Sequence, residues 1–283
     1  MTTRMSLCVL GSGSTGNCSV LAAESPGGER TITLIDLGLS PRETARRLHR
    51  VGLRLDEVSS ALITHFDGDH FCRGWANTGR KLGLTLRFHR HHRPFAHRAG
   101  ATVVRCECFH TSFDLCEGMH VRPVHFAHDE HGTVGYRFDS HAGSIGYATD
   151  LGAVPRDLFE HFTNLDLLAI ESNYCPVMQR ESDRPIFLKK RIMGGSGHLS
   201  NEQSFEAVQR IASASRLQAV CLLHLSQECN DPKKIEAMYE SSPELRPRLI
   251  ISTHDRPTPW MRLKPTPAQR PDRCLFTNAA AGK

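Results

Sequence analysis

Aromatic residues are scarce in this chain, at 7% with two tryptophans and four tyrosines, so a stripe of base-stacking platforms is not expected. Long apolar runs are missing as well. The longest, such as LDLLAI and AVCLLHL, fall far short of the ~20 residues a membrane-crossing helix needs, so no membrane partner is expected. None of the ten cysteines forms a C-x-x-C pair and no secretory leader pattern precedes them, which argues against a disulfide framework and for a reducing cytoplasm. Cys106, Cys108, His110, Cys116 and His120 match no zinc-finger spacing. A helix is also missing where a nucleotide fingerprint would need one. The stretch GSGSTGNC at 11–18 holds G-x-G-x-x-G in Gly11, Gly13 and Gly16, yet residues 18–36 read as two short strands joined by a turn at SPGG. Without a helix N-terminus to hold a pyrophosphate, the glycines read as a turn between antiparallel strands.

What is present is ordinary globular material, 39% hydrophobic and 23% charged, with a formal charge of +5 that permits a polyanionic substrate without requiring one. Strand-like runs occupy residues 5–10, 18–23, 31–36, 60–64, 84–88, 120–127, 133–138, 144–149, 165–171, 217–224 and 247–252. One helix follows Ser40, with Pro41 at its first position and Glu43 completing a capping box, and ends near Gly52. Another follows Ser200, capped with Gln203; others fall near 155–162 and 231–241. Strands with interspersed helices in both halves, and no linker, predict one α+β domain over 1–262 with sheets packed together and helices outside. The proline-rich stretch 263–283 reads as a loosely ordered tail.

Seventeen histidines are the unusual count, and several stand beside aspartates where apolar runs end. The run Ser60-Ala-Leu-Ile leads into Thr64-His65-Phe-Asp67-Gly-Asp69-His70, four candidate ligands within six residues. Imidazoles and carboxylates this close would desolvate or repel one another unless a cation bound them. Three later runs end alike, at His128-Asp129, Thr149-Asp150 and His224. Together they predict His65, Asp67, His128 and Asp150 around one metal ion, and Asp69, His70, His224 and a shared Asp150 around a second. Two ions ~3.5–4 Å apart can activate a water and clamp both oxygens of a displacement.

The H-x-x-x-D-H loop with the later His, Asp and His resembles the metallo-β-lactamase superfamily. Finer motifs are similar to its YycJ (WalJ) subgroup: GSGSTGNC, LIDLG at 34–38, HDE at 128–130, ATDLG at 148–152, ESN at 171–173, GHLSN at 197–201 and LLHLSQECNDP at 222–232. They run in order from about residue 6 to 257. The resemblance implies a four-layer αβ/βα sandwich in a single domain, with a dinuclear centre at one edge. It also implies a hydrolase that cleaves phosphodiesters, with nucleic acid, DNA above all, as substrate and partner and exonuclease action on DNA ends. His198 would touch the substrate phosphate or protonate the leaving oxygen, and Asp69 is counted as catalytic as well as a ligand. Asp36 and Asp129 would orient ligand histidines.

Two departures from the family pattern stand out. Asp67 replaces a usual histidine, leaving the centre one unit less positive and its first site harder, which favours manganese, magnesium or iron over zinc. The cofactor expectation is therefore two divalent ions, Mn, Fe or Zn. Tyr174 stands where a histidine would follow ESN, so a substrate contact there is expected to differ. His125 reads as strand packing, His254 as a residue bordering the pocket, and His89-Arg-His-His-Arg93 with His97 and Arg98 as a basic face, solvated or gripping phosphates. The competing readings are a small-molecule phosphodiesterase or lactone hydrolase, and a metal-holding protein that has lost catalysis.

Overall fold

The computed structural model describes residues 4–25 and 27–264. In chain order it contains β1 (Arg4–Gly11), β2 (Cys18–Glu24), β3 (Arg30–Ile35), α1 (Pro41–Arg50), β4 (Val58–Ile63), α2 (Gly74–Leu82), β5 (Thr85–His89), α3 (Arg93–Arg98) and β6 (Arg105–Phe109). The second half contains β7 (Phe113–Cys116), β8 (Met119–Phe126), β9 (Thr133–Ser140), β10 (Gly143–Ala148), α4 (Arg156–His161), β11 (Leu167–Glu171), α5 (Pro176–Glu181) and α6 (Ile186–Met193). It closes with α7 (Asn201–Ser213), β12 (Ala219–Leu223), α8 (Pro232–Tyr239), β13 (Leu249–Ile251) and β14 (Met261–Arg262). The strands form two seven-stranded sheets, ordered β14-β1-β2-β3-β4-β5-β6 and β13-β12-β11-β10-β9-β8-β7.

Alternation along the strands explains the layers, because each sheet has two apolar faces to cover. Between the sheets lie Leu7, Val9, Leu21, Leu62, Tyr136, Phe138, Tyr147 and Leu223. The outer face of the first sheet buries Val20, Leu34, Ile63 and Phe88 with Leu48 of α1 and Trp75 of α2; that of the second buries Leu168, Ile170 and Leu222 with Val208 of α7 and Ile235 of α8. The result is the expected αβ/βα sandwich. Two buried tyrosines tie the sheets with polar bonds: Tyr136 donates to the Ile63 carbonyl at 2.6 Å, and the Tyr147 hydroxyl lies 3.2 Å from Ser19 Oγ. Among the described residues no helix is long and apolar enough to cross a membrane.

At α1 only half of the expected capping box forms: Ser40 Oγ accepts the Glu43 amide, but the Glu43 carboxylate pairs with Arg46 and Arg47 instead of the Ser40 amide. At α7 the box is complete, Ser200 and Gln203 exchanging side-chain bonds with each other's backbone amides. Three strands (β6, β7, β14) and four helices (α2, α3, α5, α6) have no counterpart among the expected elements. Just past residue 262, Leu263 is buried and donates its amide to the Met5 carbonyl, and Lys264 bonds Gln218. The rest of the expected tail, 265–283, lies outside the described residues.

Strand direction is what positions the site. Strands β3, β4, β5 and β6 run parallel, as do β10, β11, β12 and β13. Parallel neighbours end together, so the residues that come after β4, β10 and β12 emerge along one edge of the sandwich.

At β9 the fold depends on a charge cluster. Asp139 accepts from Arg137 Nε at 2.9 Å, from Arg122 Nη2 at 2.6 Å and from Ser144 Oγ at 2.6 Å. Burial would raise its carboxyl, but the arginines and the hydroxyl outweigh it and hold it at about 2. Asp139→Asn strands a buried guanidinium, so we expect a loss of about 3 kcal/mol, read from the urea midpoint at neutral pH. Because the folded pKa is depressed, the wild-type advantage is complete above the unfolded value near 3.8 and fades as pH falls through about 2. A midpoint unchanged by the substitution would contradict this.

Candidate metal centre

Each predicted ligand leaves the end of a strand. His65, Asp67, Asp69 and His70 occupy the loop after β4, His128 follows β8, Asp150 follows β10 and His224 follows β12. The structure brings all seven together. Potential ligand atoms of His65, Asp67 and His128 lie within 4.8 Å of one another, as do those of Asp69, His70 and His224. Asp150 stands between the two groups, grouped with His65 and His70 on one side and with His224 on the other. With His198 the imidazoles form a closed ring: His65–His70 centroids are 4.0 Å apart, His65–His128 5.3 Å, His70–His224 5.8 Å, His128–His198 5.3 Å and His198–His224 5.1 Å.

Supporting bonds fix which nitrogen faces inward. His70 Nδ1 lies 2.8 Å from Asp36 Oδ2, leaving Nε2 at 2.9 Å from Asp150, so Asp36 orients this histidine as expected. His65 Nδ1 contacts the hydroxyls of Thr64 at 3.0 Å and Thr133 at 3.4 Å. His128 Nδ1 lies 2.9 Å from the Gly197 carbonyl. That carbonyl does the work expected of Asp129, which instead pairs with Arg191 through both oxygens. Asp129 adopts φ 40°, and its carboxylate pairs with Arg191 of α6 while one oxygen lies 3.8 Å from His128 Nε2, the nitrogen opposite the one an orienting partner would hold.

The electrostatics reflect burial and crowding. Burial alone would push the His70 imidazole down, but Asp150, Asp36 and Asp69 together hold it well above the usual histidine range. Burial would likewise raise Asp150, yet His224 and His70 hold it well below the usual carboxylate range. His65 is driven the other way, depressed by burial and then by His70. Asp36, Asp150 and His224 sit at φ 62°, 55° and 56°, a region sparsely populated by residues other than glycine. Converging carboxylates and imidazole nitrogens, buried and backed by oriented partners, are a donor set that suits divalent cations.

Three supporting residues carry no signal of their role in the sequence. Glu171, at the end of β11, accepts from His198 Nδ1 at 2.6 Å and from the Leu151 amide at 2.7 Å. His198 thus joins the site through its carboxylate partner, with Nδ1 also 3.4 Å from Asp150. Asn17 receives the Ser12 hydroxyl on Oδ1 at 2.9 Å, and its Nδ2 lies 3.0 Å from His70 Nε2. Ser12 Oγ in turn accepts the His224 amide at 2.8 Å. The glycine-rich stretch is therefore a β1–β2 turn that braces the centre. Its close approach demands glycine opposite as well: a Cβ on Gly38 would collide with the Asp69 carbonyl oxygen. Tyr174 is buried against Ile192 and Cys229, a packing role in place of the substrate contact.

Comparison with known proteins places this edge in a family. Residues 31–224 match the model of the β-lactamase superfamily domain. The exodeoxyribonuclease WalJ of Streptococcus pneumoniae is 27% identical over 235 residues, 78% of this chain and 82% of the relative. The exodeoxyribonuclease YycJ of Bacillus anthracis is 26% identical over 236 residues, 82% and 86% of the two chains. A diphosphatase from the PhnP family shares the fold at a TM-score of 0.63 and 18% identity, covering 93% of this chain and 99% of that one. Since the matched span takes in well over half of the sequence and closes on His224, the chain belongs to the β-lactamase superfamily.

Proposed function

We propose that this protein is a dinuclear metal-dependent phosphodiesterase that degrades DNA from its ends. The observation that carries the reading is the convergence of both ligand groups with the His198–Glu171 pair on one sheet edge, in a chain similar over four-fifths of its length to exodeoxyribonucleases. His65, Asp67, His128 and Asp150 would hold one ion, and Asp69, His70, His224 and Asp150 the other. When bound, such ions supply Lewis acidity and charge compensation to a phosphoryl group under attack. Three carboxylates among seven ligands suit manganese or iron at least as well as zinc.

The chain's own groups divide the remaining work. Asp69, whose side chain is 26% exposed at the mouth, accepts a proton from an attacking water. Glu171 is fully buried and receives His198 Nδ1, which fixes the ring and leaves Nε2 to donate to the leaving oxygen. A cavity of about 380 Å³ opens beside His198, between Ser14, Arg184 and Arg191. Its modest size favours one competing substrate class, a small phosphodiester.

End-labelled duplex DNA separates these readings. We expect manganese-loaded protein to release one end label before the other, and Asp150→Ala to lose that activity by at least ~10³-fold. Intact DNA in the presence of stoichiometric bound metal would move the assignment to the small ester. Asp67→Ala should lower bound metal from about two ions per chain to about one by elemental analysis, whereas Asp67→His should keep two and shift preference toward zinc. Metal content and activity both unchanged in Asp67→Ala would remove Asp67 from the ligand set. His198→Ala should slow DNA cleavage ~10²-fold or more at unchanged metal content, while a nitrophenyl phosphodiester, whose leaving group needs no proton, loses far less. Equal losses on both substrates would assign His198 to binding.

A further inference from the structure

Beside the catalytic ring lies a second group of imidazoles that the proposed reaction does not use. β5 ends at His89, the turn after it carries His91 and His92, β6 leads into His110, and His125 reaches across from β8 of the other sheet. His125 is exposed and meets His89 edge-on at 4.0 Å between centroids, so it is not the strand-packing residue its sequence position suggests. Three of these rings form a nearly equilateral triangle: His91–His92 centroids are 5.9 Å apart, His91–His125 6.4 Å and His92–His125 6.4 Å. With Zn–N distances of ~2.0–2.1 Å and tetrahedral angles, three imidazoles on one ion place their centroids roughly 5 Å apart. Among the described residues their nitrogens do not lie within 4.8 Å of one another, so a bound ion would draw the two exposed side chains, His91 and His125, inward.

A second observation points to a ligand. His92 is fully buried, its Nε2 lies 3.3 Å from the His131 carbonyl, and its Nδ1 has no hydrogen-bond partner. Donation from Nε2–H leaves Nδ1 as a buried lone pair with nothing to accept, an unfavourable state unless something binds it. His89 has no such unsatisfied atom: Nδ1 accepts the His91 amide at 3.2 Å and Nε2 lies 3.2 Å from the His110 carbonyl, so it steadies the turn instead of offering a ligand.

We propose that His91, His92 and His125 form a third metal site, separate from the dinuclear centre and selective for a borderline transition ion such as Zn²⁺, Co²⁺ or Ni²⁺. All three donors are imidazole nitrogens, so manganese and magnesium, which prefer oxygen, are poor occupants. The charge state agrees. The burial of His92, the half-covered ring of His125 and then the neighbouring imidazoles hold both at about 4, neutral with lone pairs available at physiological pH, which suits a cation and offers nothing to a phosphate.

The test is a metal titration of the full-length, metal-stripped protein. With manganese alone we expect no more than two equivalents bound; with zinc or cobalt we expect one further equivalent, and cobalt should add visible absorption of a tetrahedral nitrogen site. The double variant His91→Ala/His125→Ala, altered only at exposed positions, should lose this extra equivalent and its absorption while keeping the other two. Wild-type protein that binds no more zinc than manganese, or a double variant that binds as much zinc as wild type, would overturn the proposal. Neither result bears on the nuclease assignment, because the manganese-loaded enzyme is assayed with this site empty.

Discussion

His70 is held at both ring nitrogens by buried carboxylates, 2.8 Å from Asp36 and 2.9 Å from Asp150, with all three side chains nearly or wholly excluded from solvent. Asp36 follows β3 of one sheet and Asp150 follows β10 of the other, so this one imidazole joins the two halves of the sandwich at the edge where the chemistry lies. Neither carboxylate could remain charged there without a positive partner, which is the His70 imidazolium when no ion is bound and would be the ion when one is. The convergence of the surrounding ligands depends on that balance. A fold that ends its parallel strands together supplies the place, and the buried charges make the arrangement specific.

The bracing around this core is reached by backbone devices more than by side-chain bulk. The β1–β2 turn carries Ser12 to the His224 amide and Asn17 to His70, while Thr64 caps Asp36 with both its amide, at 2.8 Å, and its hydroxyl. Asp36, Asp129, Asp150 and His224 account for four of the five non-glycine residues with positive φ among the described residues. Left-handed backbone at a strand end turns the side chain away from the direction the strand would give it, and at Asp150 and His224 it turns it toward the proposed ions. Such positions carry a local conformational cost that the adjoining strands, buried on both faces, are able to hold.

Strand ends and ligand density are legible because both leave a one-dimensional trace: an apolar run of five or six residues, then a polar cluster. The eleven strand-like runs in the sequence all correspond to strands. The elements that escape such a reading share a physical reason. β6 (RCECF) is short, none of its residues is fully buried, and two of its three apolar residues are cysteines, so its alternation stands out weakly. α5 and α6 are short and open with Pro176 and, just before the first residue, Pro185, which read equally well as loop. Glu171 ends the apolar run LLAIE as one carboxylate with no companion, and only the fold brings His198 to it across 27 residues. Asp129 departs from its expected role because adjacency in sequence says nothing of direction once φ turns positive.

Asp67 shows where sequence and structure together go further than either. Its side chain is 48% exposed, in contrast to the 5% of His65 beside it, and their closest contact is 3.8 Å. A carboxylate in water keeps its charge at little cost and can swing to meet an ion, whereas a histidine at this position would need its ring packed and its second nitrogen satisfied. The first half of the centre is therefore held at His65 and His128 and adaptable at Asp67, while the second half is held at His70, His224 and Asp150 and opens only at the 26% exposed Asp69. An adaptable oxygen donor tolerates ions of different radius and coordination number, so in the proposed dinuclear centre exchange of one metal for another is expected to be easiest at the first site, and selectivity is expected to come from the second.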